Sequence, residues 1–230
     1  AALLGSGQRE HPPQHVQDHE DLRFLYLSGL GARSANYPLA YSFPDYEAIR
    51  GVPVLAGAAA YRPRRRITMG SGLEARRPLV QDATAEFFPL LGVLPLHGRF
   101  FDAQEDREGS PPVAVLSHGF WEREFGGDVA AIGDAITLGS HSYEVIGVAP
   151  RGFTGANLDG VDVCIPLRMN VRLTSSWRAL ESRGAAWHRV VVRVADSVTD
   201  AEAGRQLTAA HGAAVAAALK WLASRQSPDG

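Results

Sequence analysis

Residues 112–153 read PVAVLSHGFWEREFGGDVAAIGDAITLGSHSYEVIGVAPRGF, and this stretch decides the fold class. Val113 to Leu116 is a short, wholly apolar strand. Ser117 caps a helix that runs through Phe125, and Gly126-Gly127 stops it. Ile136 to Leu138 and Ser142 to Val148 form a hairpin whose tip, Gly139-Ser140, suits a tight II′ turn. A strand, a short helix and a hairpin in succession do not alternate as a doubly wound sheet would. They indicate an α+β fold.

The flanks support that reading. Leu22 to Leu27, Val54 to Tyr61, Arg66 to Met69, Ala75 to Gln81, Asp162 to Leu167 and Arg189 to Val194 read as strands. Ser42 with Asp45 resembles a capping box for a helix over 43–50, and Pro44 is tolerated in its first turn. Thr84 is placed to cap a short helix ending at Gly92. Thr199 and Glu202 open the best helix, in which Ala203, Leu207, Ala210, Ala214, Ala218 and Trp221 recur at spacings of three and four. No tandem repeat of 20–50 residues is present.

The 230 residues, 45% hydrophobic and 21% charged, suffice for a buried core and argue against wholesale disorder. A net charge of −2 excludes a general polyanion binder, and no nucleic-acid partner is expected. The single cysteine, Cys164, excludes an internal disulfide framework and a cysteine-rich zinc site. Only Lys220 among 23 basic residues is lysine, a bias that fits a GC-rich genome and nearly excludes lysine-dependent catalysis. The uncharged apolar stretch Phe87 to Leu96, broken by Pro89, Gly92 and Pro95, is well short of the about 20 residues a membrane span needs. Ala1 to Gly7 is too short for a complete signal peptide. Any membrane anchor is therefore expected outside the chain.

No catalytic signature emerges. G-x-S-x-G, G-x-G-x-x-G and the P-loop pattern are all missing. His11, His15 and His19 recur every four residues, but Pro12 and Pro13 break the helix that would align them. His118 and Glu122 are an i, i+4 pair, read as a surface pair or helix contact. Asp159 with Asp162, and Glu105 with Asp106, are carboxylates without acid–base spacing. Cys164 lies in an apolar strand, where thiols are inert. No metal, cofactor or catalytic residue is expected. Arg62, Arg64, Arg65 and Arg66 form the only dense basic run, either a solvated strand edge or a contact for lipid headgroups or a partner protein.

Several segments in order resemble the MacB-like periplasmic core domain of ABC-transporter permeases. They are FPDYEAIR (43–50), VQDATAEFFPLLGV (80–93), LHGRFF (96–101), 112–128, 131–153, VDVCIPL (161–167) and WHRVVVRVADSVTDAEAGRQL (187–207). The wording around 112–153 is most similar to the duplicated-permease branch of acidobacteria. Departures are His118 for the family's common Tyr, Asp82-Ala83 for Ser-Gly, and Ile165 where Trp or Val is frequent. The resemblance implies a porter-like α/β-sandwich subdomain from 21–90 and 180–222, with a smaller strand-rich subdomain, 91–179, inserted. Residues 1–20 are then an irregular lead-in and 223–230 a tail.

It further implies a non-catalytic extracytoplasmic domain at the periplasmic face of the inner membrane, anchored by spans absent from this chain. Such a domain transmits ATP-driven conformational change to substrate export or to partner proteins. The implied partners are a second permease subunit or half, a separate cytoplasmic ATPase domain, and a periplasmic adaptor or substrate protein. The alternative is a stand-alone extracytoplasmic domain that binds a lipid, peptide or small hydrophobic ligand in a cleft.

Overall fold

The computed structural model describes residues 2–4, 22–27, 41–70, 75–155, 160–173, 178–182, 185–199, 201–210 and 212, with backbone alone for 2–4, 22–27, 171–173 and 178–179. Eleven strands lie in this part: β1 (Ala2–Leu4), β2 (Leu22–Leu27), β3 (Leu55–Tyr61), β4 (Arg65–Arg66), β5 (Leu79–Ala83), β6 (His97–Gly98), β7 (Val113–Leu116), β8 (Ala135–Leu138), β9 (His141–Val148), β10 (Val163–Pro166) and β11 (Arg189–Val194). Six helices accompany them: α1 (Phe43–Arg50), α2 (Phe87–Leu90), α3 (His118–Phe125), α4 (Leu167–Leu173), α5 (Arg178–Glu181) and α6 (201–210). The mixture is the α+β class expected.

The strands form one mixed sheet in the order β1-β2-β11-β3-β5-β10-β7-β9-β6, with β4 on β5 and β8 on β9. β5 is the joint. Its end meets β3 through Tyr61↔Ala83, and its start meets β4 through Arg65↔Val80. Its other edge pairs in parallel with β10. Hydrogen bonding thus runs continuously from strands of the expected outer part into strands of the expected insert.

Alternation along the central strands distributes three cores. Ala58 and Ala60 of β3, with Val190, Val192 and Val194 of β11, pack under α1 and α6 against Tyr46, Ile49, Ala203 and Leu207. The opposite residues, Ala59, Tyr61 and Val191, join an aromatic core around Phe87, Phe88, Phe101 and Phe153. Both faces of these strands are covered, which is why AAAY and VVVRV are nearly continuous apolar runs.

Beyond β5 the sheet curls. Val80, Leu116, Val145, Val148, Val163 and Ile165 turn into a third core with Ile136, Leu138 and Met169. The curl closes where Met69 bridges to Leu138 and the Gly139 N–H donates to the Thr68 carbonyl at 2.7 Å. A register shift opposite β7 lets Val145 and Val148 share one face. β6 then presses on β9 so closely that a Cβ on Gly147 would sit 2.2 Å from the Arg99 carbonyl oxygen.

Local signals held at most ends. Ser42 and Asp45 form a reciprocal capping box on α1, and Ser117 Oγ caps α3. Gly126 takes the left-handed conformation (φ +64°) that ends α3, and Leu138↔His141 closes a two-residue turn at Gly139-Ser140. Thr199 Oγ1 accepts the Glu202 N–H at 3.3 Å.

Three expectations need correcting. Thr84 does not cap α2: its hydroxyl accepts the Ala60 N–H at 3.2 Å and faces Tyr46, so the sheet claims it, and Glu86 is the N-cap. The strand expected at 75–81 is displaced to 79–83, where pairing with β10 fixes it. The lead-in expected to be irregular over 1–20 contains β1, in which Ala2–Leu4 pairs antiparallel with Leu25–Leu27 of β2, a partner about 20 residues away that no local signal announces.

Candidate functional site

The arginine run occupies the joint of the sheet, and the structure splits it. Arg62 and Arg65 turn inward onto Asp82 of β5, whose side chain is 1% exposed. Arg65 Nη1 donates to Oδ1 at 2.7 Å, and Arg62 Nη1 to Oδ2 at 3.4 Å. Asn170 Nδ2 of α4 donates to the same Oδ2 at 2.8 Å, and Tyr143 Oη of β9 donates to Asn170 Oδ1 at 3.3 Å. A buried carboxylate is tolerated only with such compensation, and here three donors from two segments supply it. The negative charge is felt nearby. Burial, reinforced by Asp82, raises the Tyr143 hydroxyl and the Cys164 thiol far above their ordinary pKa values. Cys164 is buried and free, hence unreactive, as its sequence setting suggested.

From Arg62 the polar chain continues to the residues just before β11. Its guanidinium stacks 4.8 Å above the Trp187 ring, and Trp187 Nε1 donates to His188 Nε2 at 2.8 Å. With Nε2 accepting, Nδ1 carries the proton and faces the Tyr41 carbonyl at 3.3 Å. Burial first, and the Arg62 charge second, push His188 down to about 3, so it stays neutral. Tyr143, Asn170, Asp82, Arg62, Trp187, His188 and Tyr41 thus connect the curled half to the helix-covered half.

Arg66 points the other way. It is exposed, and its Nη1 donates to the Arg77 carbonyl at 3.1 Å. Arg64 is half-buried.

A second buried carboxylate, Asp106, sits in the acidic stretch after Phe101. Oδ2 accepts the Ala85 N–H at 3.2 Å and Oδ1 the Arg168 N–H at 2.7 Å, so one side chain pins three segments. Burial outweighs the nearby Arg168 and the two N–H groups and pushes Asp106 up to about 7. In the unfolded chain an aspartate titrates near about 3.9. The folded state therefore holds the proton more tightly, and this group's contribution to stability is complete below about pH 4 and is lost as pH rises toward about 7. Urea titrations should show the parent losing more stability between pH 5 and pH 8 than Asp106→Asn does. Equal pH dependence in the two proteins would remove Asp106 as its source.

The remaining sequence candidates have structural roles. His118 Nδ1 lies 3.4 Å from Glu122, which also pairs with Arg151, and the imidazole edge meets Trp121: a helix contact, as expected. Glu105 is held by both terminal nitrogens of Arg99. Asp162 accepts from the Leu79 N–H and from Arg123. Among the described residues no group of three His, Cys, Asp or Glu is placed to hold a metal. His11, His15, His19 and Asp159 lie outside the described residues.

The comparisons with known proteins place this arrangement. The chain matches the MacB-like periplasmic core domain over residues 3–210. It belongs to that family. The periplasmic region of MacB from Actinobacillus actinomycetemcomitans shares the fold with a TM-score of 0.63 at 13% identity, covering 86% of this chain and 89% of that one. The extracellular domain of the noncanonic ABC-type transporter YknZ from Gram-positive bacteria aligns with a TM-score of 0.59 at 19% identity, covering 83% and 95%. A domain of a permease protein from Porphyromonas gingivalis aligns at 0.51 and 15%, covering 70% and 65%. No curated protein matches by sequence.

As a MacB-like periplasmic core domain, the chain is a non-catalytic, extracytoplasmic part of an ABC-transporter permease. Among the described residues no helix is long and apolar enough to cross a membrane. In the sequence Asp82 stands out only as a departure from the family's Ser-Gly, and its partners lie far from it along the chain. The available signal was a lone charge in the apolar strand LVQDA, which demands a counter-charge somewhere in the fold.

Proposed function

We propose that this domain is a mechanical element of its permease. It transmits ATP-driven movement, generated by a separate cytoplasmic ATPase domain, to export or to a partner protein beyond the membrane. One observation carries the reading. The sheet is hydrogen-bonded continuously through β5, and the buried Asp82 cluster ties the same joint from the side chains, so force applied to one half reaches the other. Transmission needs such a body.

In this reading 21–90 with 180–222 form the porter-like part and 91–179 the insert, with β5 as their shared strand. The domain stands at the outer face of the inner membrane, anchored by spans outside this chain. It works against a second permease subunit or half, with an adaptor or substrate protein beyond. Arg62 and Arg65 maintain the joint, which leaves contact with an anionic partner to the outward Arg66. The test is whether two copies of the domain change separation when the assembled permease binds ATP.

A further inference from the structure

The two buried carboxylates are compensated differently. Asp82 has guanidinium groups on it, whereas Asp106, 2% exposed, accepts only the Ala85 and Arg168 backbone N–H groups among the described residues. The cation beside Asp106 is that same Arg168, but its side chain runs to α1. Arg168 Nη2 donates to Glu47 Oε1 at 2.6 Å, and the guanidinium lies 4.9 Å over the Phe43 ring, one helical turn before Glu47. Arg168 Nε is left buried without a hydrogen-bond partner. An unmet donor and a carboxylate without counter-charge are thus anchored at one backbone position.

The other charged groups nearby are engaged elsewhere. Glu86, before α2, adds negative charge near Asp106 and is itself paired with Arg50 of α1 and the Tyr46 hydroxyl. On the loop of Asp106, Arg99 holds Glu105, and the Asp102 carboxylate accepts the Gln104 and Glu105 N–H groups. Arg107 Nε donates to the Ala103 carbonyl. Of these groups only Arg168 is placed to supply a counter-charge.

We infer that Arg168 is a proton-controlled latch between α4 and α1, with Asp106 as its control. While Asp106 is protonated, the guanidinium stays on Glu47 and ties the start of α4 to α1. When Asp106 gives its proton to water, the buried carboxylate needs a charged donor. Arg168 Nε and a terminal nitrogen then turn to Asp106, and Glu47 is released. Burial pushes Asp106 up to about 7, and an extracytoplasmic domain meets the pH of its medium. Acid therefore fastens α1 to α4, and alkali loosens it.

The test uses the full 230-residue chain, isotope-labelled at its aspartate and glutamate carboxyl carbons and titrated under NMR. The Asp106 resonance, identified by its loss in Asp106→Asn, should move with a midpoint at about 7. The Glu47 resonance should show a step at the same midpoint, and Asp106→Asn should abolish that step. Glu47→Gln frees Arg168, so the Asp106 midpoint should fall to about 6, the effect of a facing cation. In an Arg168→Gln background the same Glu47→Gln change should move Asp106 far less, which separates the latch from the direct loss of one negative charge. Glu47 is exposed, so Glu47→Gln keeps the test open should a variant at Asp106 or Arg168 unfold. An Asp106 midpoint below about 5, a Glu47 resonance without the step, or equal effects of Glu47→Gln with and without Arg168 would overturn the inference.

Discussion

Gly147→Ala should destabilise the domain by about 3 kcal/mol, the upper end of the range in which overpacked sites fall. The new Cβ would lie 2.2 Å from the Arg99 carbonyl oxygen and 3.0 Å from Arg99 C and N. Those atoms are backbone, and they cannot rotate away as a side chain would. Nor can the segment retreat, because the Arg99 N–H donates to the Ile146 carbonyl and the Leu96 N–H to the Val148 carbonyl, at 3.0 and 2.8 Å. The β6–β9 pairing must open, and with it the support for Phe100 and Phe101 against Phe88. Gly119→Ala is the control: nothing lies within 4 Å of its Cβ, and helix propensity there favours alanine by about 1 kcal/mol. Urea unfolding should move the two midpoints in opposite directions. Equal midpoints for Gly147→Ala and the parent would mean that β6 does not lie against β9 as described.

Asp82→Ala should cost about 3–5 kcal/mol, as removal of one partner from a buried charge pair does. Arg65, Arg62 and the Asn170 amide would all lose an acceptor, two of them in half-buried positions from which a guanidinium cannot fully reach water. The loss belongs to the cluster, so Asp82→Ala/Arg65→Ala should cost less than the sum of the single changes, by about 1–3 kcal/mol. Strict additivity would show that the carboxylate and Arg65 do not act together. Hydrogen exchange adds a local readout. In Asp82→Ala, amides of β4, β5 and α4 should exchange faster, while those at the α1–β3 contact change little.

The elements legible in the sequence were those whose signals are local. A cap such as Ser42 with Asp45, a stop such as Gly126-Gly127 and a hairpin tip such as Gly139-Ser140 each act within a few residues, so their chemistry stands in one line of text. The apolar runs of β3, β7 and β11 were nearly as plain, because burial on both faces leaves few polar residues to obscure them. What escaped depends on distant residues. Thr84 carries every mark of a helix cap, but Ala60, 24 residues earlier, takes its hydroxyl.

The arginine run was visible as charge, yet nothing local tells Arg65 from Arg66. Asp82, 17 residues on, draws one inward, while the pleat sends the next outward. Gly147 looked like one more strand residue until β6 was laid against it. Asp106 was one acid among several in a loop, and only the folded chain brings it to the N–H groups of Ala85 and Arg168. The family resemblance supplied what no local rule could, namely that these segments belong to one extracytoplasmic domain.

The central claim is that this body moves against its counterpart when ATP is bound. Cys164 is buried with its thiol pushed far up, so a cysteine introduced at the half-exposed Val129 can be spin-labelled selectively. The measurement is the electron–electron distance between labels at Val129→Cys on the two copies, in the membrane-reconstituted permease that carries this domain, with and without ATP. A distance distribution that shifts on ATP binding and returns after hydrolysis is the expected result. One distribution under both conditions, with ATP turnover confirmed in the same sample, would contradict it.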